Sequence, residues 1–191
     1  MAIRDQKLLY HLTSLENLEA ILRNGLLPRN QMVRFDDVAE PGLIDFRREN
    51  GLNGYVPFHF FPKNPFDGRV QTDYPDKDFI YITLSRDFAR ENNFQIIPMH
   101  PRAMRPLELY DFDEGFGIIE WDTMDQKNYL NDVCRHICMA ECLSPNTIMP
   151  IDFYAFYVKT NEIKTIVRES CLSVLHRSPC FINVNRSMFL G

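Results

Sequence analysis

Leu15, Leu18, Ile21 and Leu22 fall at helical spacing among polar neighbours, which predicts an amphipathic helix near the start of the chain. Thr13 with Glu16 three positions on reads as a capping box, Gly25 suits the C′ position and Pro28 forbids continuation. Later apolar runs are shorter and richer in aromatic and β-branched residues. "YVPFHFFP" (55–62) predicts an aromatic strand bracketed by prolines, and the "KNPFDGR" after it reads as turns. "FIYITLS" (79–85) and "FQIIPMH" (94–100) predict strands with a short helix between them over 86–92. Residues 121–143 read as a helix, and 153–159 and 180–185 as strands. Residues 29–54 mix charge with Pro and Gly and show little period, so they read as a long connection of the kind that forms lids or binding loops. Helices and strands do not alternate in the βαβ manner, which predicts an α+β fold with a mostly antiparallel sheet. With no repeat and no linker, one domain is expected over 1–191.

Composition narrows the class of protein. The 191 residues are 45% apolar, 25% charged and 13% aromatic, enough to bury a core without staples. No run approaches a membrane span and "MAIRDQK" is too polar for a signal peptide, so a cytoplasmic location is expected. The five cysteines are odd in number, which favours reduced thiols over a disulfide framework. A net charge of −5 excludes broad phosphate neutralisation, so any nucleic acid should lie in a local groove. Six acids between Glu108 and Asp122, with no base among them, read as a solvated loop.

Several common chemistries find no support. There is no Walker loop, no G-x-S-x-G, and "GFG" at 115–117 lacks the third glycine of a dinucleotide fingerprint. Cys134, Cys138 and Cys142 fall at i, i+4, i+8 on the expected helix, a stripe of small apolar side chains more than a zinc knuckle, and no metal is expected. Three features remain unexplained. His11 precedes the first helix and has no part in its capping. Glu141, between Ala140 and Cys142 near the end of the helix expected over 121–143, is a carboxylate in apolar company. Arg47 and Arg48 sit in the long connection and, by themselves, read as a surface pair.

In order along the chain, "YHLTSLENLEAILRNGLL", "IDFRRENG", "YVPFHFFPKNPF" and "CRHICMAECLSPNTI" resemble the DarT family of DNA ADP-ribosyltransferase toxins. "VNRSMFL" is similar, more loosely, to a strand at the family's C-terminus. The resemblance implies an ADP-ribosyltransferase fold, with two small mostly antiparallel sheets and flanking helices around a cleft for NAD⁺. It implies NAD⁺ contacts from His11, Leu12, Thr13 and Ala20, with Arg48 at the active site and in contact with NAD⁺, a one-residue slip to Arg47 remaining open. It implies that Glu141 is the catalytic glutamate, that residues 29–54 close over NAD⁺, and that the region from about 115 to 141 forms the turn facing the substrate.

The chemistry agrees with those roles. Breaking the nicotinamide–ribose bond gives an oxocarbenium-like transition state, and a carboxylate there accepts a strengthening hydrogen bond from the 2-OH and offsets positive charge. An arginine stays protonated, so it stabilises a deprotonated base or the diphosphate and does not serve as proton acceptor. The edge of a nucleobase is hidden in a duplex, so the expected acceptor is single-stranded DNA. Tyr55, Phe58, His59 and Phe60 are candidates for stacking bases, with Asn64 beside them, and Lys63, Arg69 and Arg102 for following phosphates. The resemblance further implies a macrodomain-type antitoxin as partner. His59 stands where many thymine-modifying members have tyrosine, and the segment after "FQII" is less acidic, so guanine and thymine both remain open as target, with guanine slightly favoured. An RNA-directed transferase and a non-catalytic NAD-binding homologue are the alternative readings.

Overall fold

The computed structural model describes residues 1–32, 35 and 40–191. Its first strand, β1 (Leu8–Ser14), runs through the position expected to cap the helix. Thr13 is a strand residue, and the cap is Ser14, whose Oγ accepts the Glu16 amide at 3.3 Å. The helix itself, α1 (Leu18–Asn24), starts only after a 3-10 turn at Leu15–Asn17. The cause is tertiary. β1 pairs along its whole length with β3 (Phe79–Ser85), from Leu8↔Ser85 to Ser14↔Phe79, and that ladder holds Thr13 extended. Gly25 ends α1 with φ +82° and its amide on the Ile21 carbonyl.

The remaining elements are α2 (Pro41–Glu49), β2 (Val56–His59), α3 (Pro65–Asp73), α4 (Arg86–Glu91), β4 (Gln95–Ile97), β5 (Tyr110–Asp111), α5 (Phe112–Ile118), α6 (Trp121–Gln126), α7 (Asp132–Ile137), β6 (Glu141–Ser144), β7 (Ala155–Val158), α8 (Asn161–Leu175) and β8 (Phe181–Val184). All five later strands expected from the pattern are present, β3 over the residues expected and β2, β4, β7 and β8 trimmed at their ends. The single helix expected over 121–143 is not. Lys127, at φ 49°, stops α6, α7 is a separate short helix, and residues from Glu141 onward are drawn into the sheet as β6 between β2 and β4. Cys134, Cys138 and Cys142 therefore do not form one helical stripe.

Polar residues taken for turns and loops cap helices instead. Asn64 accepts the amides of Phe66 and Asp67 and starts α3, with Pro65 at its first position. Asp111, within the acidic run, accepts the Glu114 amide and starts α5. Thr160 starts α8, which the apolar pattern did not mark. In the long connection, 3-10 turns at Arg29–Gln31 and Leu52–Gly54 flank α2, and the part of the expected lid at 33–34 and 36–39 lies outside the described residues.

The strands form one open sheet in the order β5-β4-β6-β2-β1-β3-β7-β8, antiparallel except for β7 with β8. The two small sheets expected are four-stranded halves of this sheet, joined through β1 and β2 by the single register pair Tyr10↔His59. Pro57 explains so short a junction. Its carbonyl points toward β1, so its missing N–H lies on that same edge and cannot extend the ladder. One face of the sheet packs continuously under α1 and α5–α8, through Leu9, Phe58, Ile82, Ile96 and Cys142. The other face is divided into a cluster under α3 with Tyr10, Leu12 and Tyr81, and a cluster of Leu52, Ile97 and Leu143. Among the described residues, no helix is long and apolar enough to cross a membrane.

Candidate active site

Where β1 and β2 part, a cavity of about 720 Å³ opens, within the usual range of small-molecule sites. Strand alternation decides which groups reach it from which side. His59 pairs in register with both Tyr10 and Glu141, so these three share one face, and His11 and Thr13 project from the other. All but Tyr10 line the cavity, which therefore joins the two faces through the split.

Glu141 is buried at the start of β6 and is flanked in register by His59 on one side and Ile97 on the other. Arg47 Nη1 donates to both of its carboxylate oxygens, at 2.9 and 2.7 Å, and Nη2 donates to the Leu52 carbonyl at 3.4 Å. Both partners are buried, so their desolvation is offset chiefly by this close pairing. Arg47 comes from α2, where Leu43 and Arg47, four apart, turn inward to the cavity. Arg48 faces away from it. Its side chain is 66% exposed and pairs with Asp45 one turn back on the helix. The arginine read from the sequence as Arg48 is therefore out of reach of Glu141, and its neighbour stands in the site.

His11 Nδ1 lies 2.8 Å from the Pro57 carbonyl and so donates to it, filling a bond the broken ladder leaves open. Burial pushes its pKa down to about 4, although the Pro57 carbonyl opposes the shift. The ring is neutral at pH 7, and Nε2 is an acceptor. His59 Nδ1 likewise donates to the Ala140 carbonyl, at 3.0 Å. His100, which the sequence reading left without a role, also lines the cavity, and burial pushes its pKa down to about 4 against the pull of Glu141.

The other expected residues divide clearly. Leu12, Ala20 and Tyr55 line the cavity. Phe58 and Phe60 are buried in the main core and cannot stack on a base. Asn64 is also fully buried, with its side chain committed to the α3 amides, Asp67 and the Phe61 carbonyl, so it offers nothing to nucleic acid. Lys63 and Arg102 are exposed outside the cavity, and Arg69 pairs with Asp73 along α3. The region from 115 to 141 is built of short helices whose Trp121, Met124, Cys134 and Ile137 enter the core. Phe66 and Asp67, cavity residues from α3, carried no signal once that segment read as turns.

A family profile described as "ssDNA thymidine ADP-ribosyltransferase, DarT" matches residues 10–190. A DNA ADP-ribosyl transferase of Thermus aquaticus is 35% identical over 79 residues, covering 36% of this chain and 36% of that protein. Thermus sp. 2.9 DarT in complex with ADP-ribosylated ssDNA is similar with a TM-score of 0.82 at 16% identity, over 96% of each chain. The same protein in complex with NAD⁺ gives a TM-score of 0.80 at 16% identity, over 97% of this chain and 98% of that one. Thermosipho africanus DarTG in complex with ADP-ribose gives 0.75 at 18% identity, over 96% of this chain and 51% of that one.

Proposed function

Because the chain belongs to the DarT family, we propose that it transfers ADP-ribose from NAD⁺ to a base of single-stranded DNA, releasing nicotinamide. The observation that carries this reading is the buried Arg47–Glu141 pair in one cavity with the neutral His11. His11, Leu12, Thr13 and Ala20 bind NAD⁺, with His11 Nε2 accepting from a ribose hydroxyl. Glu141 accepts from the ribose 2-OH and offsets the positive charge that develops as the nicotinamide bond breaks. Arg47 takes the part first read for Arg48. Its guanidinium stays protonated and neutralises the diphosphate or a base that has given up its proton. His59 and Tyr55, at the cavity, face the acceptor base, and the exposed Lys63 follows the phosphates.

Thymine is the base named in the family description, and guanine is the one favoured by the departures around His59. The protein acts as a toxin in the cytoplasm, restrained by a macrodomain-type antitoxin that removes the ADP-ribose, a reading that family membership supports and no residue geometry does. The test is mass spectrometry of four DNA oligonucleotides, each offering one base, and their RNA counterparts, after incubation with protein and NAD⁺. An ADP-ribose adduct on one DNA base is the expected result. Adducts on RNA alone, or none with any oligonucleotide, would sink the proposal.

A further inference from the structure

Among the described residues, the buried side-chain oxygens with no hydrogen-bond partner include Asp67 Oδ1, and Asp67 lines the cavity. The other oxygen is saturated. Oδ2 accepts from Asn64 Nδ2 at 2.7 Å and from the Tyr81 hydroxyl at 2.9 Å. The Tyr81 hydroxyl in turn accepts the Lys63 amide at 2.9 Å, so its one proton is committed to Asp67. The Asp67 amide is held by Asn64 Oδ1. The carboxyl is thus held by two donors on Oδ2, its backbone is pinned at the start of α3, and Oδ1 is left as an open acceptor. Burial pushes its pKa up to about 6, opposed by the charge of His59 and by hydrogen bonding from Tyr81, the Lys63 backbone and Asn64. Beside it the rings of Phe66 and His59 lie 5.6 Å apart, both on the cavity wall. Leaving a buried acceptor unpaired is costly, so an open oxygen on a cavity wall calls for a donor from whatever fills the cavity.

We propose that Asp67 Oδ1 is a recognition point that accepts a hydrogen bond from an N–H group on a planar heteroaromatic ring seated against Phe66 and His59. The identity of that ring rests on the transfer reaction proposed above, which brings two candidates to the cavity, the nicotinamide with its carboxamide and the acceptor base. Both offer the same chemistry, a flat ring with an N–H donor at its edge.

Asp67→Asn tests the idea. Its amide oxygen keeps the donors at the Oδ2 position, and its NH₂ turns the open acceptor into a donor. The variant should melt like wild type yet lose about tenfold in affinity for one ligand, equivalent to about 1.4 kcal/mol. Weaker binding of NAD⁺, titrated without DNA, assigns the ring as nicotinamide. Unchanged NAD⁺ binding with a raised KM for the oligonucleotide assigns it as the base. A normally melting variant with both constants unchanged overturns the proposal. Should the variant fail to fold, wild-type protein decides, using an NAD⁺ analogue with acetyl in place of carboxamide and an oligonucleotide whose base N–H groups are methylated. Binding of both as tightly as their parents overturns the proposal, and weaker binding of either supports it. A wild-type protein that modifies no oligonucleotide sinks the transfer reading instead and leaves the NAD⁺ arm to judge Asp67.

Discussion

Arg47 Nη1 bridges both carboxylate oxygens of Glu141, at 2.9 and 2.7 Å, across 94 residues of sequence and with both side chains buried. Arg48, next in the chain, reaches only the exposed Asp45. The two arginines should therefore behave very differently. Arg47→Ala leaves a buried carboxylate without its partner and is expected to cost about 3–5 kcal/mol of stability. Arg48→Ala should stay within about 0.5 kcal/mol of wild type, as an exposed substitution does, and should leave transfer unchanged. Urea denaturation of both variants, with oligonucleotide modification measured in parallel, checks this. Equal losses would mean that the helix presents the wrong face.

Glu141→Gln keeps the shape and removes the charge. The expected result is a fall in transfer rate of about 10²–10³, with NAD⁺ affinity nearly unchanged, because the interaction lost is one that strengthens in the transition state. Adduct formation followed by mass spectrometry, beside an NAD⁺ titration, reads both quantities. Wild-type rates would reduce Glu141 to a structural partner of Arg47.

His11 and Lys63 should separate the two ligands. His11→Ala removes a half-buried acceptor on the cavity wall and is expected to weaken NAD⁺ binding, measured without DNA, by about 1–3 kcal/mol. Lys63→Ala should leave NAD⁺ binding alone, weaken oligonucleotide binding and reduce its salt slope by roughly 0.7, the single-strand value for one phosphate. Titrations with NAD⁺ and with a fluorescent oligonucleotide at two salt concentrations decide it. The opposite pattern would reverse the assignment of the two residues to their ligands.

Acid should destabilise the fold through its histidines. Burial holds His11 and His100 at pKa values of about 4, below the 6.5 of an ordinary imidazole. As pH falls from 6.5 toward 4, the unfolded chain takes up protons that the folded one refuses, so stability is lost across that window. Asp67 works the other way. Its carboxyl, raised from 3.8 to about 6, keeps a proton in the folded state that the unfolded chain gives up, and this stabilises the fold on acidification. With two groups against one, the net expectation is a loss. His11→Asn, whose side-chain NH₂ can still donate to Pro57, should make the slope shallower. Denaturation curves through the window test this, and an unchanged slope in the variant would show that His11 titrates normally when folded.

The sequence by itself carried the local parts of this protein. "FIYITLS" and the aromatic run around Pro57 mark strands because aromatic and β-branched side chains suit an extended, pleated backbone whatever the neighbours are. His11 stood out because helix capping left it unexplained, and Glu141 because a carboxylate among apolar residues needs a reason. Family motifs placed both at a cleft. Only the tertiary structure decided what those residues meet. Helical spacing over 121–143 gave way because β2 and β4 offer Glu141 a ladder on both sides. The choice between Arg47 and Arg48 turned on which side of α2 faces the cavity, a rotation of about 100° per residue that a weakly periodic segment does not reveal. Asp67 stayed hidden because its character comes from Tyr81 and Asn64, which satisfy one of its oxygens and leave the other open. Local pattern is written in neighbours along the chain, whereas a site is made by neighbours in space.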